Sequence, residues 1–195
     1  MPDAKYARSD SIHRAGSQRM AAFRTSLGKS GHEVVTTEFE WAVLKFQRAF
    51  ERYCLQVANA AGLEALSFSE LELLIVVCLQ EEPRAAAQIA RQMNEDAVNL
   101  VHYGLGKLAA CDLVRKARGT RAVGGKTFVY SGTDKGRKLV DRYVAIRHDV
   151  LTEQTRQIEK VDERMFATTK FLSLLASVYD ESGRVAATHY PLHTA

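Results

Sequence analysis

The sequence predicts a mainly α fold carrying one small β-hairpin. Three observations predict it. Only three prolines (Pro2, Pro83 and Pro191) stand among 195 residues, which leaves nearly the whole chain free to be helical. Apolar residues recur at spacings of three and four through most of the chain. From Leu113 the pattern changes to short strand-like runs. Five of the twelve glycines (Gly119, Gly124, Gly125, Gly132 and Gly136) fall in that stretch, as a hairpin with a flexible tip requires.

Residues 1–33 combine Ser, Arg and Gly with scattered apolar positions (Ile12, Met20, Phe23, Leu27) and read as a flexible basic tail. Thr37 with Glu40 forms a capping box. Beyond it Phe39, Val43, Phe46, Phe50, Cys54, Val57 and Ala61 make the stripe of a long amphipathic helix ending near Gly62. Ser67 with Glu70 gives a second capping box, opening a strongly apolar helix over Leu71 to Leu79 that Pro83 ends. A short helix from about Ala85 to Met93 follows. Asn94, Glu95 and Asp96 offer N-caps for the next helix, whose stripe is Val98, Val101, Leu105 and Leu108. Strand-like runs Leu113 to Lys116 and Thr127 to Tyr130 then flank a basic, glycine-rich loop. The chain re-enters helix near Thr133 or Asp134 and stays helical, with room for one break, to about Tyr179. Residues 183–195 read as a frayed tail, so the folded body is 34–182.

The net charge of +4 hides a segregation. Residues 33–82 carry three bases and nine acids, whereas residues 83–138 carry eleven bases and four acids. Positive charge gathered in one internal segment is the footprint of a face that binds polyanions, or of a solvated basic surface. The longest apolar run, Leu73 to Leu79, is far short of the roughly 20 residues that cross a bilayer. No apolar leader follows the first residue, and three widely spaced cysteines (Cys54, Cys78, Cys111) lack a disulfide or C-x-x-C pattern. A cytoplasmic protein with no membrane partner is the expectation.

Three helices followed by a hairpin with a basic loop is the order of a winged helix-turn-helix. Here the motifs become specific. "LSFSELELL" from Leu66, "AAAQIARQM" from Ala85, "KLAACDLVRK" from Lys107 and "YSGTDKGRKL" from Tyr130 together resemble the multiple antibiotic resistance regulator (MarR) family of transcription factors. The resemblance spans Leu66 to Leu139 and is that of a divergent member. Asp112 stands where a glycine would close the recognition helix, the Asp-x-Arg of the wing is absent, and "SGT" replaces Leu-Thr-Pro.

The resemblance implies a winged helix-turn-helix (core about 66–139) flanked by long dimerisation helices. It also implies a homodimer on double-stranded, palindromic DNA and a role as transcriptional regulator. The recognition helix, about 96–110, would enter the major groove, and the wing, about 113–130, would lie on the backbone or minor groove. If the Val98, Val101, Leu105 and Leu108 stripe faces the core, then Asn99, His102, Tyr103, Gly106 and Lys107 point away from it. Asn99 suits bidentate pairing with adenine, His102 and Tyr103 can reach bases or phosphates, and Lys107 can anchor a phosphate or guanine. Arg115 and Lys116 sit at the hairpin base, and Arg118, Arg121 and Lys126 fit phosphates along the loop, with Arg121 nearest the tip. The alternative from another class is a dimeric winged-helix adaptor whose basic wing binds an acidic protein.

No enzyme is expected, because no G-x-S-x-G or H-E-x-x-H occurs and no nucleophile, base and orienting group assemble from sequence. "TRAVGGKT" ends like a phosphate loop, but Thr120 replaces its first glycine and a strand follows. Pro191 interrupts the His189 and His193 pair as a metal site. No cofactor is called for. A small-molecule effector between the dimerisation and DNA-binding regions is what the resemblance leaves open. Trp41, Phe46 and Tyr53 could line its pocket or simply fill the core. Cys54 and Cys78 are expected to be buried packing residues.

Overall fold

The computed structural model describes residues 31–119 and 128–189, so the expectations for residues 1–30 and 190–195 lie outside the described residues. Helix α1 spans Gly31–Ala61, so the chain is already helical six residues before the expected cap. Thr37 is not a cap. Its hydroxyl donates to the carbonyl of Glu33 four residues back (3.0 Å), as a threonine inside a helix does, and Thr36 does the same with His32 (3.0 Å). Only the second half of α1 (Cys54, Val57, Ala58, Ala61) is buried.

Helix α2, Phe68–Cys78, opens as its sequence predicts. The Glu70 amide donates to Ser67 Oγ (3.4 Å) and the Ser67 amide to Glu70 Oε2 (2.9 Å), which satisfies two of the amides a helix start leaves open. Leu71, Leu73, Leu74, Val77 and Cys78 are all buried, because α2 is the central helix and packs against α1, α4, α5 and β3. Next comes a strand too short to show a period in sequence: β1, Arg84–Ala85.

Helices α3 (Ala86–Gln92) and α4 (Val98–Ala110) form the helix-turn-helix. None of the three expected caps stands at the start of α4. Ala97 holds that position, Asn94 turns the chain with a φ of 55°, and Glu95 Oε1 accepts the Ala97 amide (2.8 Å). Val101, Leu105 and Leu108 are buried as expected, and Gly104 with them. Helix α4 closes in a Schellman turn: Leu113 N–H donates to Leu108 (2.9 Å), Asp112 N–H to Ala109 (3.1 Å), and Asp112 has a φ of 57°. An aspartate thus occupies the left-handed site that favours glycine.

Strands β2 (Val114–Arg118) and β3 (Phe128–Gly132) pair antiparallel; β2 starts one residue later than the sequence pattern suggests, and both strands run two residues further. β1 adds to the far edge of β3, giving a three-stranded sheet in the order β1-β3-β2 rather than a lone hairpin. The hairpin tip, residues 120–127, lies outside the described residues.

Thr133 caps helix α5 (Asp134–Arg147), accepting the Gly136 amide (3.0 Å) and donating to the carbonyl of Asp112 (2.7 Å). A Cβ on Gly136 would collide with the Leu113 carbonyl, so the return from wing to helix needs glycine there. Arg137 ties the same corner together, donating to the carbonyls of Gly132 (2.9 Å) and Cys78 (3.3 Å).

Helix α5 packs Val140 and Tyr143 into the core and continues through a π-helical turn, His148–Thr152, and one short turn, Glu153–Thr155. After a break at Lys160 (φ 54°), helix α6 runs Val161–His189, so residues 183–189 are helical where the sequence suggests fraying. No residue of α6 is buried. It meets α1 through the edge-on rings of Phe39 and Phe171 (5.7 Å) and through the Tyr179 hydroxyl, which donates to Glu40 (2.8 Å).

Candidate nucleic-acid interface

The buried stripe of α4 fixes which way the rest of the helix points. At 100° per residue, Asn99, Tyr103, Gly106 and Ala110 stand opposite Val101, Leu105 and Leu108. All four are exposed, Tyr103 at 66%. This face is flanked by His102 on one side and Lys107 on the other, and both are already engaged. His102 Nδ1 lies 3.5 Å from the Tyr130 hydroxyl, with the rings edge-on at 6.4 Å, which turns the imidazole towards the sheet. Lys107 Nζ sits 2.8 Å from Glu70 Oε1 and 5.0 Å from the centre of the Tyr103 ring.

The Lys107 pairing has electrostatic consequences. Hydrogen bonds from Lys107 and from the Ser67 amide hold the Glu70 carboxyl below its usual range, and Glu70 in turn pushes the Lys107 ammonium up. Both stay charged at neutral pH. Helices α2 and α4 approach closely at Gly104, since a Cβ there would come within 2.5 Å of Leu73 Cδ1. Nothing lies within 4 Å of a Cβ built on Gly106. The two glycines of the helix therefore have different reasons, one a close helix contact and the other open space on the outward face.

On β2, Arg115, Lys116 and Arg118 are all exposed but do not share one face. Alternation places Lys116 and Arg118 on one side and Arg115 on the other. Lys116 Nζ rests 4.1 Å from the centre of the Phe128 ring. Arg115 opens on a shallow cleft with Asp112, Asp134 and Lys135, and Lys135 Nζ donates to the carbonyl of Cys111 (2.9 Å) at the close of α4. Arg121 and Lys126 lie outside the described residues.

Sequence reasoning did not single out Arg84. The sheet register aligns Arg84, Tyr130 and Lys116 as one cross-strand row, so β1 brings a further cation to the sheet, where its guanidinium donates to Gln92 Oε1 of α3 (2.9 Å). Its signal was present only as one base within the basic segment. Glu70 was also missed as a partner of the recognition helix, because the capping box explained it completely.

A cleft of about 620 Å³ lies between α1, α2, α4 and α5, with Phe50, Phe68, Met93, Leu100, Tyr103 and Lys107 in its walls. The three aromatic residues nominated from sequence do not line it. Trp41 is half-exposed on the unburied half of α1, Phe46 stacks on Phe50 (5.9 Å), and the Tyr53 hydroxyl is buried with no hydrogen-bond partner among the described residues. Cys54 and Cys78 are buried, with burial pushing the Cys78 thiol up to about 11, and Cys111 is exposed. Among the described residues no group of His, Cys, Asp or Glu could hold a metal, and no helix is long and apolar enough to cross a membrane.

No family model matches the sequence, and no curated protein matches it. Solved structures do match. The transcriptional regulator BldR from Sulfolobus solfataricus is 21% identical with a TM-score of 0.56, over 71% of this chain and 94% of that one. Reduced AbfR bound to DNA, a protein of Staphylococcus epidermidis, gives a TM-score of 0.60 at 14% identity, over 76% and 99%. A MarR-family transcriptional regulator from a Rhodococcus species gives 0.52 at 13% identity, over 84% and 98%. What this chain shares with them is the fold, a MarR-type winged helix flanked by long helices.

Proposed function

We propose that this protein is a sequence-specific DNA-binding transcriptional regulator of the MarR type that acts as a homodimer in the cytoplasm. The carrying observation is the placement of the chain's most basic segment. Residues 83–138 fold as a helix-turn-helix and sheet in which α4 turns Asn99 and Tyr103 outward, its His102 meets Tyr130 of β3, and Arg115, Lys116 and Arg118 stand exposed on β2. In the same fold, AbfR is bound to DNA in its structure. Asn99 and Tyr103 have the exposure a base reader needs. Arg115, Lys116 and Arg118 on β2, with Arg121 and Lys126 further along the loop, supply charge for phosphates or a minor groove.

The dimer is inferred from unpartnered apolar surface. Val43, Phe46 and Phe50 on α1, and Met165, Leu172 and Tyr179 on α6, are each at least about one-third exposed, and Phe46 reaches 66%. The α6 positions continue the stripe Ile158, Val161, Met165, Leu172, Leu175 and Tyr179, which recurs at helical spacing over its length. Contiguous apolar surface of this kind marks an interface, and a second copy supplies a matching one. A two-fold dimer would present α4 twice, to half-sites one helical turn apart on a palindrome.

Selection of bound fragments from genomic DNA by the intact protein, followed by sedimentation of the protein alone, tests both parts. A palindromic motif and a dimer are expected. A protein that binds no DNA at low salt would refute the regulator and leave the adaptor for an acidic protein, and a monomer at micromolar concentration would refute the interface.

A further inference from the structure

Lys107 is the cation on α4 that the winged-helix reading nominates for a phosphate or guanine, yet its ammonium is paired within the chain, to Glu70. Its partner, Glu70, is 8% exposed, and its two carboxylate oxygens have separate tasks. Oε2 accepts the Ser67 amide (2.9 Å) and so locks the carboxylate to the first turn of α2, while Oε1 takes Lys107 (2.8 Å). An acid fixed by its own helix cap is a rigid anchor, so Lys107 is the moving partner of the pair. From that anchor the Lys107 ammonium lies 5.0 Å from the centre of the Tyr103 ring, within the range in which a cation holds an aromatic face. One turn earlier, Gly104 lies against Leu73 with no room for a Cβ, and this close approach of α4 to α2 brings Lys107 within reach of Glu70.

We infer that Glu70 is a specificity-determining positioning residue, which withholds Lys107 from the DNA backbone and through it fixes Tyr103 on the outward face of α4. Lys107 then contributes to the choice of sequence and not to the count of phosphates. This rests on the DNA-binding reading above.

The experiment uses the full-length chain, a duplex recovered by the fragment selection, and a random duplex of equal length, with binding measured over a range of salt. Glu70→Gln keeps the amide acceptor for Ser67 but releases Lys107. Random-duplex binding should then tighten, the slope of log K against log salt should steepen by about 0.9, and the preference for the selected duplex should fall about fivefold. Lys107→Met should lower the preference by a similar factor of about five with the slope unchanged, and Lys107→Arg, which keeps a cation for Glu70, should retain it. In a Tyr103→Leu background, Glu70→Gln should lower the preference no further.

A slope flattened by about 0.9 in Lys107→Met would make Lys107 a phosphate contact and overturn the inference, as would a preference untouched by both Glu70→Gln and Lys107→Met. Should Glu70→Gln fail to fold, the two substitutions at the exposed Lys107 still decide. Failure of the unaltered protein to bind either duplex is read before any variant is made. It would remove the DNA-binding reading and this inference together.

Discussion

Two glycines two residues apart in α4 should respond differently to alanine, one with a gain in stability and the other with none or a loss. Each substitution removes the entropic cost of a helical glycine and gains about 1 kcal/mol on that account. At Gly106 nothing else changes, because no atom lies within 4 Å of the new methyl group. Gly106→Ala should therefore stabilise the protein by about 1 kcal/mol. At Gly104 the methyl meets Leu73 Cδ1 at 2.5 Å, and Leu73 is itself only 4% exposed, so it must repack inside a full core. Overpacking of that kind costs about 1 to 3 kcal/mol, which leaves Gly104→Ala between neutral and about 2 kcal/mol less stable.

The difference between the two variants isolates the α2–α4 contact, since the propensity gain cancels. Urea unfolding at one fixed protein concentration measures it. With an m-value of about 2 kcal/mol per molar, the Gly106 variant's midpoint should rise by about half a molar while the Gly104 variant's stays level or falls by up to about one molar. Equal upward shifts would show that Leu73 yields at no cost and that the close approach of α2 and α4 does not constrain the recognition helix.

Other predictions follow from neighbouring contacts. Asp112→Gly places the residue a left-handed turn prefers at the close of α4 and should raise stability by about 1 kcal/mol in the same urea assay, with no shift or a loss counting against the strain argument. Met165→Lys combined with Leu172→Lys alters only exposed positions of α6, so it should abolish the dimer in sedimentation while the circular dichroism of the fold persists. Asn99→Ala should cost about 1 to 3 kcal/mol on the selected duplex and far less on random DNA, whereas Lys116→Ala should weaken both alike and flatten the salt slope by about 0.9. Equal losses in the first case would exclude base reading by Asn99. Because its partners hold the Glu70 carboxyl below its ordinary value of 4.5, folding is stabilised by that carboxylate above this pH, and the benefit is lost as acid protonates it. Thermal midpoints of the native protein should thus fall more steeply below about pH 4.5 than those of Glu70→Gln, and parallel curves would refute the linkage.

The parts of the fold legible in sequence are those written in local chemistry. Ser67 and Glu70 satisfy each other three residues apart, so their spacing alone announced the start of α2, and the 3.6-residue stripe of α4 announced its buried face. Thr37 and Glu40 carry the same signature yet lie inside α1, because a threonine can return its hydroxyl to the carbonyl four residues back as readily as it can cap. Strand β1 left no trace, since two residues hold no period and its pairing with β3 joins positions about 45 residues apart. The outward direction of Asn99 and Tyr103 followed from the stripe. The engagement of Lys107 did not, because it depends on α2 and α4 meeting at Gly104, a distance that no spacing along the chain encodes.

Helix α5 behaves as a lever. Its near end is bolted through Thr133 to the carbonyl that follows the recognition helix, and its far end runs through the π-helical turn towards α6. A rod of this kind measures about 1.5 Å per residue, so the fourteen residues of α5 reach roughly 21 Å. A tilt of about 5° at the far end then sweeps the near end by almost 2 Å, which exceeds the tolerance of a hydrogen bond to a base edge. No side chain of α6 is buried, and its contacts with α1 are the Phe39–Phe171 rings and the Tyr179–Glu40 hydrogen bond, so the angle of that helix responds to whatever else packs against it. In the proposed dimer, the separation of the two α4 helices would thus be a property of the assembled particle, written in the packing of its long helices and not in the winged domain itself.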